Sequence, residues 1–148
     1  MPLAARGEAA VNASEMADKC EHHMRTELDA DLEGLMATLG DNPVWGPPEG
    51  PNIVGRDAIR AHYEAILMPG RHEARRLRTW VDEEHQEAAS EYIVGVHTDD
   101  GRFFEFPVVQ IVAFDEKGKM KSERLYYDES RRPVDILPAD YLASISAS

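Results

Sequence analysis

Residues 103–114, FFEFPVVQIVAF, are rich in aromatic and β-branched side chains, and a second such run, residues 120–128, follows the turn-like Asp115-Glu116-Lys117-Gly118. Two runs of this kind around a glycine that can take a positive φ predict an antiparallel hairpin within residues 102–130. If Phe114 pairs with Lys119, Gln110 stands opposite Glu123, Val108 opposite Leu125 and Phe106 opposite Tyr127. Two polar side chains then share an otherwise apolar face. Upstream, residues 74–81 and 89–97 predict two further strands, with turns at 83–87 and 98–101.

The N-terminal half follows a helical period instead. Asn12 and Glu15 have the spacing of a capping box, opening a helix that runs to about Leu28. At 100° per residue from Met16, Cys20 falls at about 40°, Met24 at about 80° and Leu28 at about 120°, one apolar stripe. His23 at about -20° and Glu27 at about 20° fall inside or beside that stripe, whereas His22 faces outward. Asp29 or Asp31 can cap a short second helix with Leu32, Leu35, Met36 and Leu39 inward and Gly40 as its stop. Residues 46–52, GPPEGPN, have no capacity for regular structure and can shape a pocket mouth. Gly55-Arg56-Asp57 opens a third helix carrying Ile59, His62, Tyr63, Ile66 and Leu67 until Met68-Pro69-Gly70.

Length and charge narrow the classes. A chain of 148 residues with 43% hydrophobic content suits one domain. The expected organisation is a loosely docked arm over residues 1–11, a domain over residues 12–130, and a tail over residues 131–148 whose Ile136, Leu137, Tyr141 and Leu142 pack on the domain or a partner. No apolar run approaches the ~20 residues of a membrane span, and the N-terminus lacks a signal-peptide centre, so a cytoplasmic protein without membrane contact is expected. The single Cys20 and a net charge of -12 point away from disulfides, thiolate zinc clusters and nucleic-acid partners.

The order helix, helix, loop, helix, meandering sheet resembles the nuclear-transport-factor-2-like α+β cone, in its SnoaL-like and ketosteroid-isomerase-like branch. The residues that carry the resemblance are Asp31-Leu32-Glu33, Val44-Trp45 with Pro47, Gly55-Arg56-Asp57-Ala58-Ile59 with Tyr63, Phe104-Glu105-Phe106-Pro107, the run Phe114 to Met120, and Tyr126-Tyr127-Asp128. The resemblance implies three helices packed on a curved, mostly antiparallel sheet, a mostly apolar cavity and a homodimer, with Val109, Ile111, Ala113, Met120 and Tyr126 on the hairpin's outer face. It also places the relatives' catalytic groups. The ketosteroid isomerase base falls on Gly46, its oxyanion aspartate on Gln110, its helical tyrosine on His23 and a supporting tyrosine on Tyr63. The polyketide cyclase aspartate falls on Leu125 and the histidine of that family on Gln110. The epoxide hydrolase arginine and aspartates fall near Tyr92, Val94 and Leu125. None of these three chemistries is intact here.

The residues themselves offer a different set. His23 and Glu27 on one helix face can share a proton, Glu123 on an apolar face can act as a general acid, and Gln110 can orient a carbonyl or hydroxyl. The expected catalytic group is therefore His23, Glu27, Glu123 and Gln110, against a satisfied structural network as the alternative. Trp45, Tyr63, Tyr92, Phe106, Val108, Leu125 and Tyr127 are expected to bind a small hydrophobic molecule, and Trp80 to build cavity wall or interface. Neither metal nor cofactor is expected, since HExxH spacing, GxSxG and phosphate-binding glycine loops are all missing. The predicted function is acid-base chemistry of the isomerase, cyclase or dehydratase type, with a non-catalytic ligand-binding or dimerisation domain as the alternative.

Overall fold

A computed structural model describes residues 10–47 and 51–128. The first helix, α1 (Ala13–Leu28), begins at the predicted capping box. The Asn12 side chain accepts from the Glu15 amide at 2.9 Å, and the Glu15 carboxylate accepts from the Asn12 amide at 3.3 Å. Val11, at the end of the expected arm, is docked in the core, its amide and carbonyl held by the Gln86 side chain at 2.8 and 2.9 Å.

Helix α2 (Leu32–Ala37) is capped by Asp31, whose carboxylate accepts from the Gly34 amide at 2.9 Å. It ends at Thr38, before Gly40, because Leu39 already pairs with Met120 in strand β1 (Leu39–Gly46). Strands β1 and β2 (Ile53–Val54) were not visible in the sequence pattern, which gave Leu39 and Gly40 to the second helix and its stop and Gly46 to an irregular loop. Strand β1 runs parallel to the last strand, and such pairing leaves no local mark in the chain. Helix α3 (Arg56–Ile66) therefore enters after two strands. Its first residue explains the Gly55-Arg56-Asp57 motif: the Arg56 guanidinium donates to the carbonyls of Met36, Leu39 and Gly40, each at 3.0 Å, satisfying groups left open where α2 ends.

Strands β3 (His72–Asp82), β4 (Glu87–His97), β5 (Phe103–Phe114) and β6 (Met120–Tyr127) complete a six-stranded sheet of order β2-β1-β6-β5-β4-β3. All neighbours are antiparallel except β1 and β6. The expected cone of three helices on a curved, mostly antiparallel sheet is the fold observed.

The hairpin corrects the predicted register. Gln110 lies opposite Leu125, Val112 opposite Glu123, and Val108 opposite Tyr127. The slip is two residues, so Gln110 and Glu123 keep a common face but stand diagonally rather than side by side. Its cause is local. The Asp115 carboxylate accepts from the amides of Lys117 and Lys119, both at 2.9 Å, and Gly118 takes φ 72°. Phe114 then pairs with Met120, and the next pair is Ala113 with Ser122, which leaves Lys121 as a bulge. Met120 consequently points into the core, 2% exposed, and not to the outer face where it was expected. Trp80, opposite Ala89, stands half exposed on that outer face and does not reach the cavity.

The core is divided. One cluster, including Met16, Cys20, Leu35, Met36, Ile59, Val112, Phe114 and Met120, fills the space between the helices and one end of the sheet. A second, Val96, Phe106 and Val108 with Val94, Leu125 and Tyr127 against it, lines the other end. Along the inward face of β5, Gln110 sits between them.

Candidate active site

A cavity of about 130 Å³ opens between α1, α3 and the concave face of the sheet. Apolar cavities of about 150 Å³ accept a benzene ring, and a single water needs only about 10–15 Å³. Glu27 and Met24 reach it from α1, Tyr63 and His62 from α3, Trp45 from β1, Tyr92 from β4, Gln110 from β5 and Glu123 from β6. Of the eleven residues the sequence singled out, ten line this space: Glu27, Glu123, Gln110, Trp45, Tyr63, Tyr92, Phe106, Val108, Leu125 and Tyr127.

His23 does not line it. Its side chain is fully buried behind the two carboxylates, with Nε2 3.1 Å from Glu123 Oε2 and 3.7 Å from Glu27 Oε1. The helical angle of His23 placed it inward correctly, but depth beneath a neighbouring turn is not encoded in an angle.

The imidazole tautomer follows from its other partner. Thr38 Oγ1 donates to the Leu35 carbonyl at 2.6 Å, so its proton is committed. His23 Nδ1, 2.7 Å from the same oxygen, must therefore donate to it. Nε2 is left to face the carboxylates, as a lone pair in the neutral ring or a second N–H in the charged one. Neither Nε2 nor Glu123 Oε2 has an aligned hydrogen bond despite their proximity.

Electrostatics set the proton inventory. Burial by itself disfavours a charged His23, but the carboxylates of Glu123 and Glu27 outweigh it and raise the imidazole pKa. Glu27 is pushed up to about 7, by burial first and then by the Glu123 charge, with His23 and the Tyr63 hydroxyl pulling the other way. Tyr63 is raised well above its ordinary value by burial and the same two carboxylates. Its hydroxyl lies beside Glu27 and the Trp45 indole without aligned hydrogen-bond geometry to either. A carboxyl that titrates near neutrality at a cavity wall can both take and return a proton.

His23, Glu27 and Glu123 offer ligand atoms that all lie within 4.8 Å of one another, the group among the described residues that a divalent ion could bridge. Cys20 is unsuited to nucleophilic work, since burial pushes its thiol up to about 12.

Several lining residues went unpredicted, among them Leu28, Ile66, Leu67, His72, Glu73, Ala74 and Val96. For β3 the signal was alternation, since Ala74 pairs with the inward Val94, but a run of arginines masks the period there.

This architecture, a helix-covered concave sheet with an apolar cavity and a polar floor, defines the nuclear-transport-factor-2-like class. Within it, the chain belongs to the SnoaL-like domain family, which matches residues 20–123. No curated protein matches the chain in sequence. Among solved structures it is similar to the epoxide hydrolase/cyclase-like enzyme SalBIII, described in pyran ring formation in the polyether salinomycin. The two share 11% identity and a TM-score of 0.73 over 81% of this chain and 95% of that one. It is also similar to RV0760c from Mycobacterium tuberculosis, solved in complex with estradiol-17beta-hemisuccinate, at 19% identity, TM-score 0.70, and 78% and 95% coverage. A computationally designed 17-OHP binder aligns at 20% identity with a TM-score of 0.69, covering 78% of this chain and 92% of that one. At these identities the likeness is one of fold.

Among the described residues, no helix is long and apolar enough to cross a membrane.

Proposed function

We propose that the protein is a cofactor-independent enzyme that moves protons on a small hydrophobic or aromatic molecule, with chemistry of the isomerase, cyclase or dehydratase type. The observation that carries this reading is Glu27, a cavity-wall carboxyl whose pKa is raised to about 7. In it, Glu27 is the base that touches the substrate, and Glu123 is the second carboxyl on the same floor. The Gln110 amide orients a substrate oxygen. His23, held by Thr38, favours the ionised form of the carboxyls and so keeps Glu27 able to accept the substrate's proton.

The test is exchange of the acidic C–H of one-ring aryl ketones in D2O, followed by proton NMR. The wild type should accelerate exchange, and Glu27→Gln should lose about 100-fold or more of that acceleration. Ketone binding without any exchange above the buffer rate would overturn the reading in favour of a ligand-binding domain. That second reading is favoured by Gly46, which stands at the end of β1 where the resemblance places the ketosteroid isomerase base.

The same proposal includes a cytoplasmic homodimer formed through the outer sheet face. Val109 and Ile111 stand there with the half-exposed Tyr126 and Trp80.

A further inference from the structure

The charge of the cavity wall indicates the charge of its ligand. Two carboxylates, Glu27 and Glu123, line its floor and the imidazoles of His62 and His72 lie elsewhere on the wall, while no lysine or arginine lines it among the described residues. The carboxylate of Glu73, which also borders the space, is held by His97 at 3.3 Å. The cation nearest the floor, His23, is sealed behind Glu27 and Glu123 and contributes no surface to the space. Glu123 is 5% exposed, its Oε2 has no aligned hydrogen bond, and its side chain forms part of the wall. Aromatic rings make up much of the remainder, including Tyr63, Tyr92, Phe106 and Tyr127. Ring faces carry negative quadrupole density and attract cations, most strongly where water is excluded.

Three ligand charges can be weighed against this wall. An anion would meet two carboxylates on the floor, with no lysine or arginine on the wall to offset them among the described residues. A neutral molecule would pack on the walls but leave two floor carboxyls sharing the single counter-charge of His23 behind them. A cation satisfies the floor and the ring faces together.

We infer that the ligand of this cavity is a small monocation, a protonated amine carried on a one-ring apolar body. Its ammonium lies against Glu27 and Glu123, and its body packs among Phe106, Val108 and Leu125. The one-ring size follows from the 130 Å³ of space. The upward shift of Glu27, caused by burial and by Glu123, is consistent with a carboxyl awaiting such a partner. This inference rests on the cavity being the ligand site of the proposed function, and adds the charge class of the ligand.

Benzylamine, benzyl alcohol and benzoate form a matched test at about pH 8, where the amine is still largely protonated. Affinities are read by calorimetry on the full chain, and the site by amide chemical shifts of the cavity strands. Benzylamine should bind about tenfold or more tighter than benzyl alcohol, and benzoate weakest. Glu27→Gln should bring the amine-to-alcohol ratio close to one while alcohol binding persists. Should that variant fold poorly, Glu123→Gln supplies the same comparison. Benzyl alcohol binding in the cavity as tightly as the amine would overturn the cation inference and leave the cavity reading standing. Equal binding of the amine to wild type and both variants would also overturn it, as an adventitious surface contact. No binding by any probe would overturn the inference and the cavity reading together.

Discussion

His23 Nε2 stands 3.1 Å from Glu123 Oε2, so the first helix and the last strand meet through a buried imidazole and a buried carboxylate. Removing one member leaves the other desolvated and unpaired, whereas replacing both by apolar groups removes the penalty. His23→Leu alone should destabilise the fold by about 3–5 kcal/mol, and the double variant His23→Leu/Glu123→Leu by clearly less than the two single changes summed. Urea denaturation of the four proteins measures the coupling, and strict additivity would contradict the pairing.

Stability should fall as pH rises through neutrality. Glu27 has a folded pKa of about 7 against an ordinary 4.5, so between these values the folded state binds the proton that the unfolded state has released. The resulting stabilisation is full below about pH 4.5 and lost as pH passes 7. His23, raised above 6.5 against the lowering effect of its own burial by Glu123 and Glu27, has the same sign: stabilising below 6.5, lost as pH passes its raised value. The groups that set this balance are His23 and Glu27 on α1, Tyr63 on α3 and Glu123 on β6. Since they share one interaction, their effects do not sum. Melting temperature measured from about pH 5 to 8 should drop more steeply in the wild type than in Glu27→Gln, the difference corresponding to roughly 2 kcal/mol. Parallel curves would count against the raised carboxyl.

Filling the cavity should separate binding from stability. Val94 faces this space from β4 and is only partly buried. Val94→Phe should reduce affinity for one-ring ligands about tenfold or more while changing unfolding free energy by about 1 kcal/mol or less, since its added atoms enter empty volume. A variant that binds as well as the wild type would place the ligand elsewhere.

The thiol of Cys20 is 2% exposed, and burial pushes its pKa up to about 12. Labelling by an aromatic disulfide reagent at neutral pH should therefore be slow, and should accelerate on adding urea in step with unfolding. Fast labelling of the native protein would mean that α1 opens locally.

Arg56 offers a test of the fold itself. Its guanidinium closes three carbonyls of the α2-β1 junction, so Arg56→Met should cost about 2–4 kcal/mol in urea denaturation. Arg56→Lys should restore less than half, since an ammonium does not reproduce the planar fork.

What the sequence disclosed was mostly what depends on local periodicity. The capping box of Asn12 and Glu15, the inward turn of His23 and Glu27, and the common face of Gln110 and Glu123 all follow from periods of 3.6 or 2. What it hid depends on contacts distant along the chain. Strand β1 exists because β6 lies beside it, and Thr38 fixes the His23 tautomer from a helix end that the pattern placed two residues later. The two-residue register slip escaped notice because Asp115 reorganises the turn with its side chain, while the Asp-Glu-Lys-Gly composition suits either arrangement.

The bulge at Lys121 has a consequence for how this site can change. Met120 and Glu123 both point to the concave face although their numbering differs by an odd step, and only the extra residue between them makes that possible. Pairing Lys121 into the ladder would turn Glu123 outward and bring Ser122 and Arg124 toward the cavity, whereas deleting Lys121 would leave Met120 and Glu123 on one face of a regular strand. A one-residue change of pairing at the bulge can therefore exchange the whole contribution of β6 to the cavity wall, which gives this fold a route to new chemistry through register as well as through substitution.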